Sequence, residues 1–432
     1  MPLSFSIIER FTSEYAEAMR DKTLLRHDRY HMLSALKERL YQAMRDYETF
    51  EAELSSMIKS IEEAKTYEEL GGCHQRSVAG VRNYFLEEQT LIDVHDLFGH
   101  IRDAITARVL CLVEREMEQD GLGPPPVEYA WVGLGSEGRN EQTFVTDQDN
   151  MIIYDETNDA VISEALARSL QNYRMTTNKE EPRNKAGVSE LVASYYGELA
   201  RRVVERLHVV GFSKCKGGIM PSNEKWRGST RDWEKKVRET LTEDKKTLEL
   251  LDLIILSDAR HIYGAKRIFD VFLQRFHAML QENRAVMKEL TQSAVFMPTA
   301  LGFFGRFKVE AEGEHKGKLN IKLHGWAPLI MSVRALALAE GLGDTNTLKR
   351  IKKLREMNLI KRELEEELVD AYLLFVRLRV MNQINEPDSN NANHVDPNAL
   401  DPEAAGNLRK GMRVVESFQK YINEMLLFGQ PF

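Results

Sequence analysis

Two aspartates spaced two residues apart follow a glycine turn in the stretch 131-WVGLGSEGRNEQTFVTDQDNMIIYD-155. Asp147 and Asp149 enter an apolar run, where extended backbone would point both side chains to the same face. Two carboxylates on one face form the hard-oxygen site that Mg²⁺ or Mn²⁺ prefers. A metal held there would bridge phosphates and activate an attacking oxygen. The pair therefore predicts a catalytic metal site for phosphate transfer.

The residues before the aspartates are suited to binding a triphosphate. Gly135 allows the backbone to approach a ligand closely, and Ser136 adds a hydroxyl donor. A short helix beginning here would present free N–H groups to phosphate, and Arg139, one turn in, could donate to it in a bidentate manner. Glu141, borne on the same short helix, completes the set as a supporting group. We expect Gly135, Ser136, Arg139 and Glu141 to bind the nucleotide.

The same glycines also match the G-x-G-x-x-G pattern of a dinucleotide-binding loop. Gly133, Gly135 and Gly138 follow a predicted strand, and Asp155 lies where a ribose-binding acid would be. The helix after such a loop must pack on the sheet, yet the residues here are polar and charged. The helix is also too short, because the acidic pair follows almost at once. The phosphate-transfer interpretation is therefore favoured.

A third carboxylate usually completes a metal site of this kind, and the sequence does not identify one. Asp155 has the right parity but lies six residues beyond Asp149, or ~20 Å along a strand. Asp258 is a candidate, although an aspartate close to Arg260 after an apolar run is more typical of a structural ion pair. Glu141 is another candidate, as a supporting group carried by the short helix. Without a third ligand, a non-catalytic module stays open as the alternative.

The elements around the aspartates alternate between short strands and helices. Apolar runs at 127–135 and 150–155 predict two buried strands, and the glycine-rich stretch 211–223 predicts a strand and a loop. Residues 158–210 show helical periodicity, interrupted by a polar loop at 176–187. Cations in or beside the glycine-rich stretch could balance triphosphate charge, or lie on a solvated surface: Lys214, Lys216 and Arg227.

Helices dominate both ends of the chain. An amphipathic pattern at 31–61 predicts helices at the N-terminus, either packing on the rest of the chain or forming a homodimer. From about residue 230 helices dominate again, except for an alternating segment at 303–325 that predicts a β-hairpin. We expect an α+β, predominantly helical protein with an N-terminal helical segment at 1–85, a core at 86–245 and a C-terminal helical domain at 246–432.

Composition restricts the partners and the compartment. The 432 residues carry a net charge of −8, whereas a protein that grips nucleic acid usually has a basic surplus, so nucleic-acid binding is disfavoured. No apolar run reaches the length of a membrane span and no leader pattern opens the chain, so we expect a cytoplasmic protein. The three cysteines, which are far apart, indicate neither a disulfide framework nor a zinc site.

The pattern G-S, short helix, D-x-D, strand resembles the nucleotidyltransferase superfamily of DNA polymerase beta. The fuller string GSEGRNEQTFVTDQDN resembles the bacterial signal-transduction nucleotidyltransferases related to the N-terminal region of PII-protein uridylyltransferase. Further blocks continue the resemblance from about residue 85 to the end: 211-GFSKCKGGIMPSNEKWRGSTRDW-233, 255-ILSDARHIYG-264, 302-GFFGRF-307, 313-GEHKGKLNIKLHG-325 and 377-RLRVMNQ-383.

The resemblance implies a polymerase-beta-like core with a small mixed sheet. It also implies Mg²⁺- or Mn²⁺-dependent transfer of a nucleoside monophosphate from a nucleoside triphosphate, in signalling or regulation. The acceptor would be a protein, recognised by the C-terminal domain. Members commonly carry CBS or cyclic-nucleotide-binding domains, which we do not expect here because residues 1–85 are too few and have a helical pattern. The alternatives are a catalytically silent nucleotide-binding module and an RNA-terminal transferase, the latter disfavoured by the acidic net charge.

Overall fold

A computed structural model describes ten stretches of the chain: residues 15, 25–88, 90–145, 147–155, 171–173, 176, 185–242, 248–302, 305–385 and 392–428. The chain divides into two compact units, one up to Arg108 and one from Val109 onward. Within these stretches no helix is both long enough and apolar enough to cross a bilayer.

The described part of the first unit, from residue 25 onward, is helical, as the amphipathic pattern at 31–61 predicted, and most of residues 1–24 lie outside the described residues. Helix α1 spans Arg26–Glu63, α2 spans Tyr67–Glu88, and α3 begins at Leu91 and runs across the division to Gln119. Helices α1 and α2 pack through a stacked pair of rings, Phe50 on Tyr84, whose centroids are 4.5 Å apart. Phe50 lies in the C-terminal half of α1, and most residues of the first half are exposed.

The second unit contains a mixed four-stranded sheet with the order β5-β3-β1-β6. Its strands are β1 Tyr129–Gly133, β3 Asn150–Tyr154, β5 Arg227–Ser229 and β6 Arg260–Gly264. Strand β1 pairs antiparallel with β3 and β6, whereas β3 pairs parallel with β5. A separate parallel ladder joins β2 Asp147–Gln148 to β4 Ser213–Lys214.

The predicted strands at 127–135 and 150–155 are confirmed as β1 and β3, and the segment 211–223 is a strand followed by turns. Strand β6 was missed, because five residues of mixed polarity between two helices leave no clear alternation. The helix predicted over 158–210 is present as α5 at Lys185–Val210, and most of 156–184 lies outside the described residues.

Helices cover the sheet and continue to the C-terminus. Their bounds are α6 Thr230–Thr242, α7 Leu250–Leu256, α8 Lys266–Glu282, α9 Arg284–Val295, α10 Ala327–Ala339, α11 Thr347–Glu356, α12 Arg362–Asn385 and α13 Pro402–Phe428. Between β1 and β2 lies a single turn, α4, at Gly135–Gly138. Apolar residues of β1 and β3 share one core with α6 to α9, and this burial holds the sheet under the helices.

The hairpin predicted at 303–325 is a loop closed by backbone hydrogen bonds. The Glu310 carbonyl accepts from Gly317 N–H and the Glu310 N–H donates to the Lys318 carbonyl, each at 2.9 Å. Beyond it, β7 Leu319–Asn320 pairs antiparallel with β8 His394–Val395 instead of extending the hairpin. The chain then forms one π-helical turn, Lys322–Trp326, that leads into α10.

Candidate functional site

The glycine turn is built against the second aspartate. The Leu134 N–H donates to the Asp149 carbonyl at 2.7 Å, which ties the end of β1 to the residue before β3. Gly135 has φ +52°, and a Cβ on it would lie 2.4 Å from Asp149 Oδ2. Only glycine therefore fits here, for both backbone conformation and space.

The other two glycines of the G-x-G-x-x-G pattern are required by packing. A Cβ on Gly133 would lie 2.8 Å from Ile262 Cδ1, and one on Gly138 would lie 1.9 Å from the Asp258 carbonyl oxygen. The pattern thus reflects close approach of the turn to β6 and to Asp258, two residues before that strand. The sequence predicted that a short helix here would help to bind phosphate. Because α4 is a single turn, its dipole contributes little to phosphate binding.

Asp147 and Asp149 line the same cleft. Burial raises the pKa of the Asp149 carboxyl to about 6, and the negative charge of Asp147 adds to this rise. A hydrogen bond from the Cys215 thiol and the charge of Lys322 act in the opposite direction. The same surroundings raise the pKa of the Cys215 thiol to about 12, first through burial and then through the charge of Asp149.

The cleft has a volume of about 220 Å³ and is walled by both ends of the second unit. Its N-terminal wall comes from the turn, the aspartates and β4, with Ser136, Glu141, Thr143, Val145, Asp147, Asp149, Ser213, Lys214 and Lys216. Its other wall comes from the π-turn, α12 and the segment before β8, with Lys322, Trp326, Arg379, Gln383 and Asn393.

Three cations were singled out in the sequence, and two of them reach the cleft. Lys214 and Lys216 line it, with Lys214 also paired to Glu205 at 2.6 Å. Arg227 does not, because its guanidinium donates to the Pro221 and Ser222 carbonyls outside the cleft.

Arg139 does not line the cleft, which corrects its assignment as a phosphate ligand. The side chain is 3% exposed, and its Nε donates to Glu141 Oε2 at 2.8 Å while its Nη1 donates to Asp258 Oδ2 at 2.5 Å. Burial alone would lower its pKa, but the charges of Asp258 and Glu141 raise it. Arg139 is a structural residue behind the turn.

Asp258 is the centre of that buried cluster and not a metal ligand. Its carboxylate is fully buried and is bound by three guanidinium groups, from Arg139, Arg334 at 2.7 Å and Arg350 at 2.9 Å. The candidate third ligand is therefore a structural ion pair, the other interpretation offered for it from the sequence. We call Arg139, Glu141, Asp258, Arg334 and Arg350 the Asp258 cluster.

Glu141 belongs both to the Asp258 cluster and to the wall of the cleft. Its Oε2 accepts from Arg139, its Oε1 accepts from the Thr347 N–H at 2.6 Å, and its side chain also forms part of the cleft wall. With both oxygens engaged, it connects the glycine turn to the start of α11 and is not placed to contact a nucleotide directly.

A further carboxylate, Glu141, lines the same cleft as the aspartate pair, but both of its oxygens are already bound by Arg139 and Thr347. In the described stretches, no group of three acidic, histidine or cysteine side chains is close enough to hold a metal. The residues that complete the cleft are instead cations and amides from the C-terminal wall. These were missed in the sequence, although three of them, Lys322, Arg379 and Gln383, lie in the blocks KLHG and RLRVMNQ that carried the family resemblance.

Two family models match the chain. The model described as "Putative nucleotidyltransferase DUF294" matches residues 75–178 and 183–247, and the model described as "Putative nucleotidyltransferase substrate binding domain" matches residues 284–425. Together they cover more than two thirds of the chain and include the glycine turn, both aspartates and both walls of the cleft. No curated protein matches the chain.

Proposed function

Because the chain belongs to the nucleotidyltransferase family that these two models describe, we propose that it transfers a nucleoside monophosphate from a nucleoside triphosphate to an acceptor hydroxyl. The observation that carries the proposal is the pair Asp147 and Asp149 in one cleft, with Gly135 packed directly on the second carboxylate. In the reaction a bond forms between the acceptor oxygen and the α-phosphorus. The bond from the α-phosphorus to the bridging oxygen breaks, and pyrophosphate leaves.

The two carboxylates, of Asp147 and Asp149, are suited to binding Mg²⁺ or Mn²⁺. Mg²⁺ is commonly bound through one or two carboxylates, with waters and substrate phosphates as its other ligands, so two aspartates suffice without a third protein ligand. Asp147 and Asp149 would hold the ion. When bound, it supplies positive charge that offsets the triphosphate and polarises the acceptor hydroxyl.

The chain's own residues contribute position and charge. The Leu134 N–H fixes the backbone of Asp149, and the β2–β4 ladder fixes Asp147 opposite Ser213. The Ser136 side chain faces the same space, where its hydroxyl can donate to a phosphate oxygen. Catalysis would rest on holding the α-phosphorus in line with the acceptor, because phosphoryl chemistry needs little covalent assistance from protein.

We infer a protein acceptor in a signalling or regulatory role. The second model's description assigns substrate binding to residues 284–425, and the net charge of −8 disfavours a nucleic acid. The homodimer through the N-terminal helices also stays a proposal. It is supported by Leu33, Tyr41 and Met44, which lie along one side of α1 with 46–48% of their surface exposed, and analytical ultracentrifugation would test it.

A catalytically silent nucleotide-binding module is the second candidate. It is favoured by the two-carboxylate site and by the charge of Lys322 acting on both aspartates. Such a module would bind a nucleotide and regulate a partner without releasing pyrophosphate.

The test is transfer of label from each α-³²P nucleoside triphosphate, with Mg²⁺ or Mn²⁺, to proteins of the host lysate. We expect a labelled band for the wild type and none for Asp147→Asn/Asp149→Asn. Asp155→Asn is the matched control, because Asp155 lies at the end of β3 and pairs with the exposed Arg267 outside the cleft. Nucleotide binding without a band or pyrophosphate release would favour the silent module, and labelling by the double variant would reject the assignment of the aspartates.

A further inference from the structure

Two cations in the C-terminal wall of the cleft have no role in the nucleotidyl transfer proposed above. Lys322 opens the π-turn, and Arg379 lies in the last third of α12. Both face the cleft that holds Asp147 and Asp149. They come from segments far from the aspartates in sequence, so the fold has brought them to this place.

The π-turn positions Lys322. A Cβ on Gly325 would lie 2.8 Å from Ile321 Cδ1 and 3.4 Å from the Phe375 ring, so glycine lets the turn pack tightly on α12. Lys322 and Trp326, at either end of the turn, then both line the cleft. Single π-turns of this kind are found frequently at functional sites. Among the residues described, no carboxylate lies within ion-pair distance of the Lys322 ammonium.

Arg379 is 5% exposed and likewise makes no ion pair with any described carboxylate. Its Nε donates to Asn393 Oδ1 at 3.1 Å, and its guanidinium lies over the Trp326 ring, 4.5 Å from the centroid. These contacts fix the orientation of the guanidinium without neutralising its charge. Burial lowers its pKa to about 10, so it still carries a full charge at neutral pH.

Cations are rarely buried in this way without a counter-ion, because desolvation is costly unless an opposite charge compensates it. The cost is increased here by mutual repulsion, since burial and then the charge of Arg379 lower the pKa of Lys322. A polyphosphate would satisfy both groups, with arginine donating to two oxygens and lysine acting as a point charge.

We propose that Lys322 and Arg379 form an anion subsite for the β- and γ-phosphates of the nucleotide, and hence for the leaving pyrophosphate. This inference rests on the proposed nucleotidyl transfer and deepens it. The α-phosphate would lie at the aspartates, and the two terminal phosphates would extend toward the C-terminal wall. When the bond to the α-phosphorus breaks, the electron pair goes to the pyrophosphate oxygen, where the two cations stabilise the developing charge. The domain described as substrate-binding would therefore also bind the nucleotide.

The rival explanation is that Lys322 acts as an internal counter-ion for Asp147 and Asp149, in place of a metal. In that case, its removal would free the carboxylates and strengthen metal binding without weakening polyphosphate binding. The two explanations therefore predict different changes in two measurable affinities.

The experiment uses the full chain, isothermal titration calorimetry and inorganic tripolyphosphate with Mg²⁺, so that no turnover is needed. Lys322→Met keeps the length of the side chain and removes its charge. We expect it to weaken tripolyphosphate binding about tenfold or more, the loss typical of one charge-assisted contact. Arg379→Lys should weaken binding by a smaller factor, because a point charge remains. Lys316→Met, an exposed lysine of the preceding loop, is the matched control and should bind as the wild type does.

Unchanged tripolyphosphate affinity in Lys322→Met would overturn the subsite, as would tighter Mg²⁺ binding without that loss. The outcome is independent of turnover. A weakened Lys322→Met in a protein that never releases pyrophosphate would retain the subsite and reject the transferase. Active transfer with unaffected polyphosphate binding would retain the transferase and reject the subsite.

Discussion

The second unit holds two clusters of buried charge that use the same residue types in opposite ways. In the Asp258 cluster, three arginines contact one carboxylate and Glu141 binds both Arg139 and the α11 backbone. In the cleft, two carboxylates face Lys322 and Arg379, neither of which makes an ion pair with a described residue. In the Asp258 cluster the charges pair with one another, and these pairs join the glycine turn to α10 and α11. In the cleft, the positive charges of Lys322 and Arg379 are available to a ligand.

Whether a buried charged side chain is paired with an opposite charge therefore distinguishes structural from functional residues better than its residue type does. Arg139 and Arg379 both lie near the Trp326 ring, with centroid distances of 5.4 and 4.5 Å. The Arg139 guanidinium donates to the carboxylates of Glu141 and Asp258. The Arg379 guanidinium instead donates to an amide oxygen, that of Asn393. The charges within each cluster thus decide which arginine can recognise an anion.

The largest expected effect, on the free energy of unfolding, comes from disrupting the Asp258 cluster. Asp258→Asn would leave three buried guanidinium groups without their common counter-ion, and removing one partner of a buried pair costs about 3–5 kcal/mol. Urea unfolding should show a loss of that size. Asp155→Asn, which removes a carboxylate from an exposed pair with Arg267, should change stability by about 0.5 kcal/mol or less. Equal losses in the two variants would contradict the distinction between the clusters.

The next effect concerns the contact between the turn and the aspartates. Gly135→Ala would force a methyl group against Asp149 Oδ2, displacing the carboxylate and reducing nucleotidyl transfer by about a hundredfold or more. Part of any stability loss would come from positive φ alone, at about 1–2 kcal/mol.

The variant Gly313→Ala measures the stability cost of positive φ by itself. Gly313 also has positive φ, but a Cβ there meets nothing within 4 Å. The backbone cost should therefore appear in both variants under urea unfolding, while transfer should fall only in Gly135→Ala. Full activity in Gly135→Ala would show that the carboxylate can move without consequence.

Sequence alone predicted the part of the site that is local. The strands β1 and β3 and the glycine turn between them follow from residues within one short stretch, which also contains the two aspartates of the cleft. Arg139 was misassigned because its main partner, Asp258, lies 119 positions further along the chain. Lys322 and Arg379 were missed for the same reason, since only tertiary packing shows that neither forms an ion pair with a carboxylate of the described residues.

A smaller effect follows from the charge left in the cleft. Because burial raises the pKa of Asp149 from its ordinary value of 3.8 to about 6, the native state binds this proton more tightly than the unfolded chain does. Stability without metal should therefore fall as pH rises from about 4 to 6 and then stay lower. Asp149→Asn removes the titration, so above pH 6 it should be more stable than the wild type by about 1 kcal/mol, discounted for partial exposure.

Thermal melts in EDTA at several pH values would measure this, with Asp155→Asn as control. Adding Mg²⁺ should then stabilise the wild type above pH 6 and leave Asp149→Asn unchanged, because metal binding favours the ionised carboxylate. A wild type that melts at the same temperature across pH 4 to 8 would mean that Asp149 ionises without cost.

The smallest effect tests the thiol beside that carboxylate. The Cys215 thiol donates to Asp149, and burial followed by the charge of Asp149 raises its pKa to about 12. Since the thiolate is the reactive form, Cys215 should react with iodoacetamide at neutral pH much more slowly than a free thiol of ordinary pKa. Asp149→Asn removes the neighbouring negative charge and should increase that rate several-fold, read by peptide mass spectrometry against Cys111. An equal rate in both proteins would indicate that burial alone protects the thiol, and that the charge left in the cleft does not reach it.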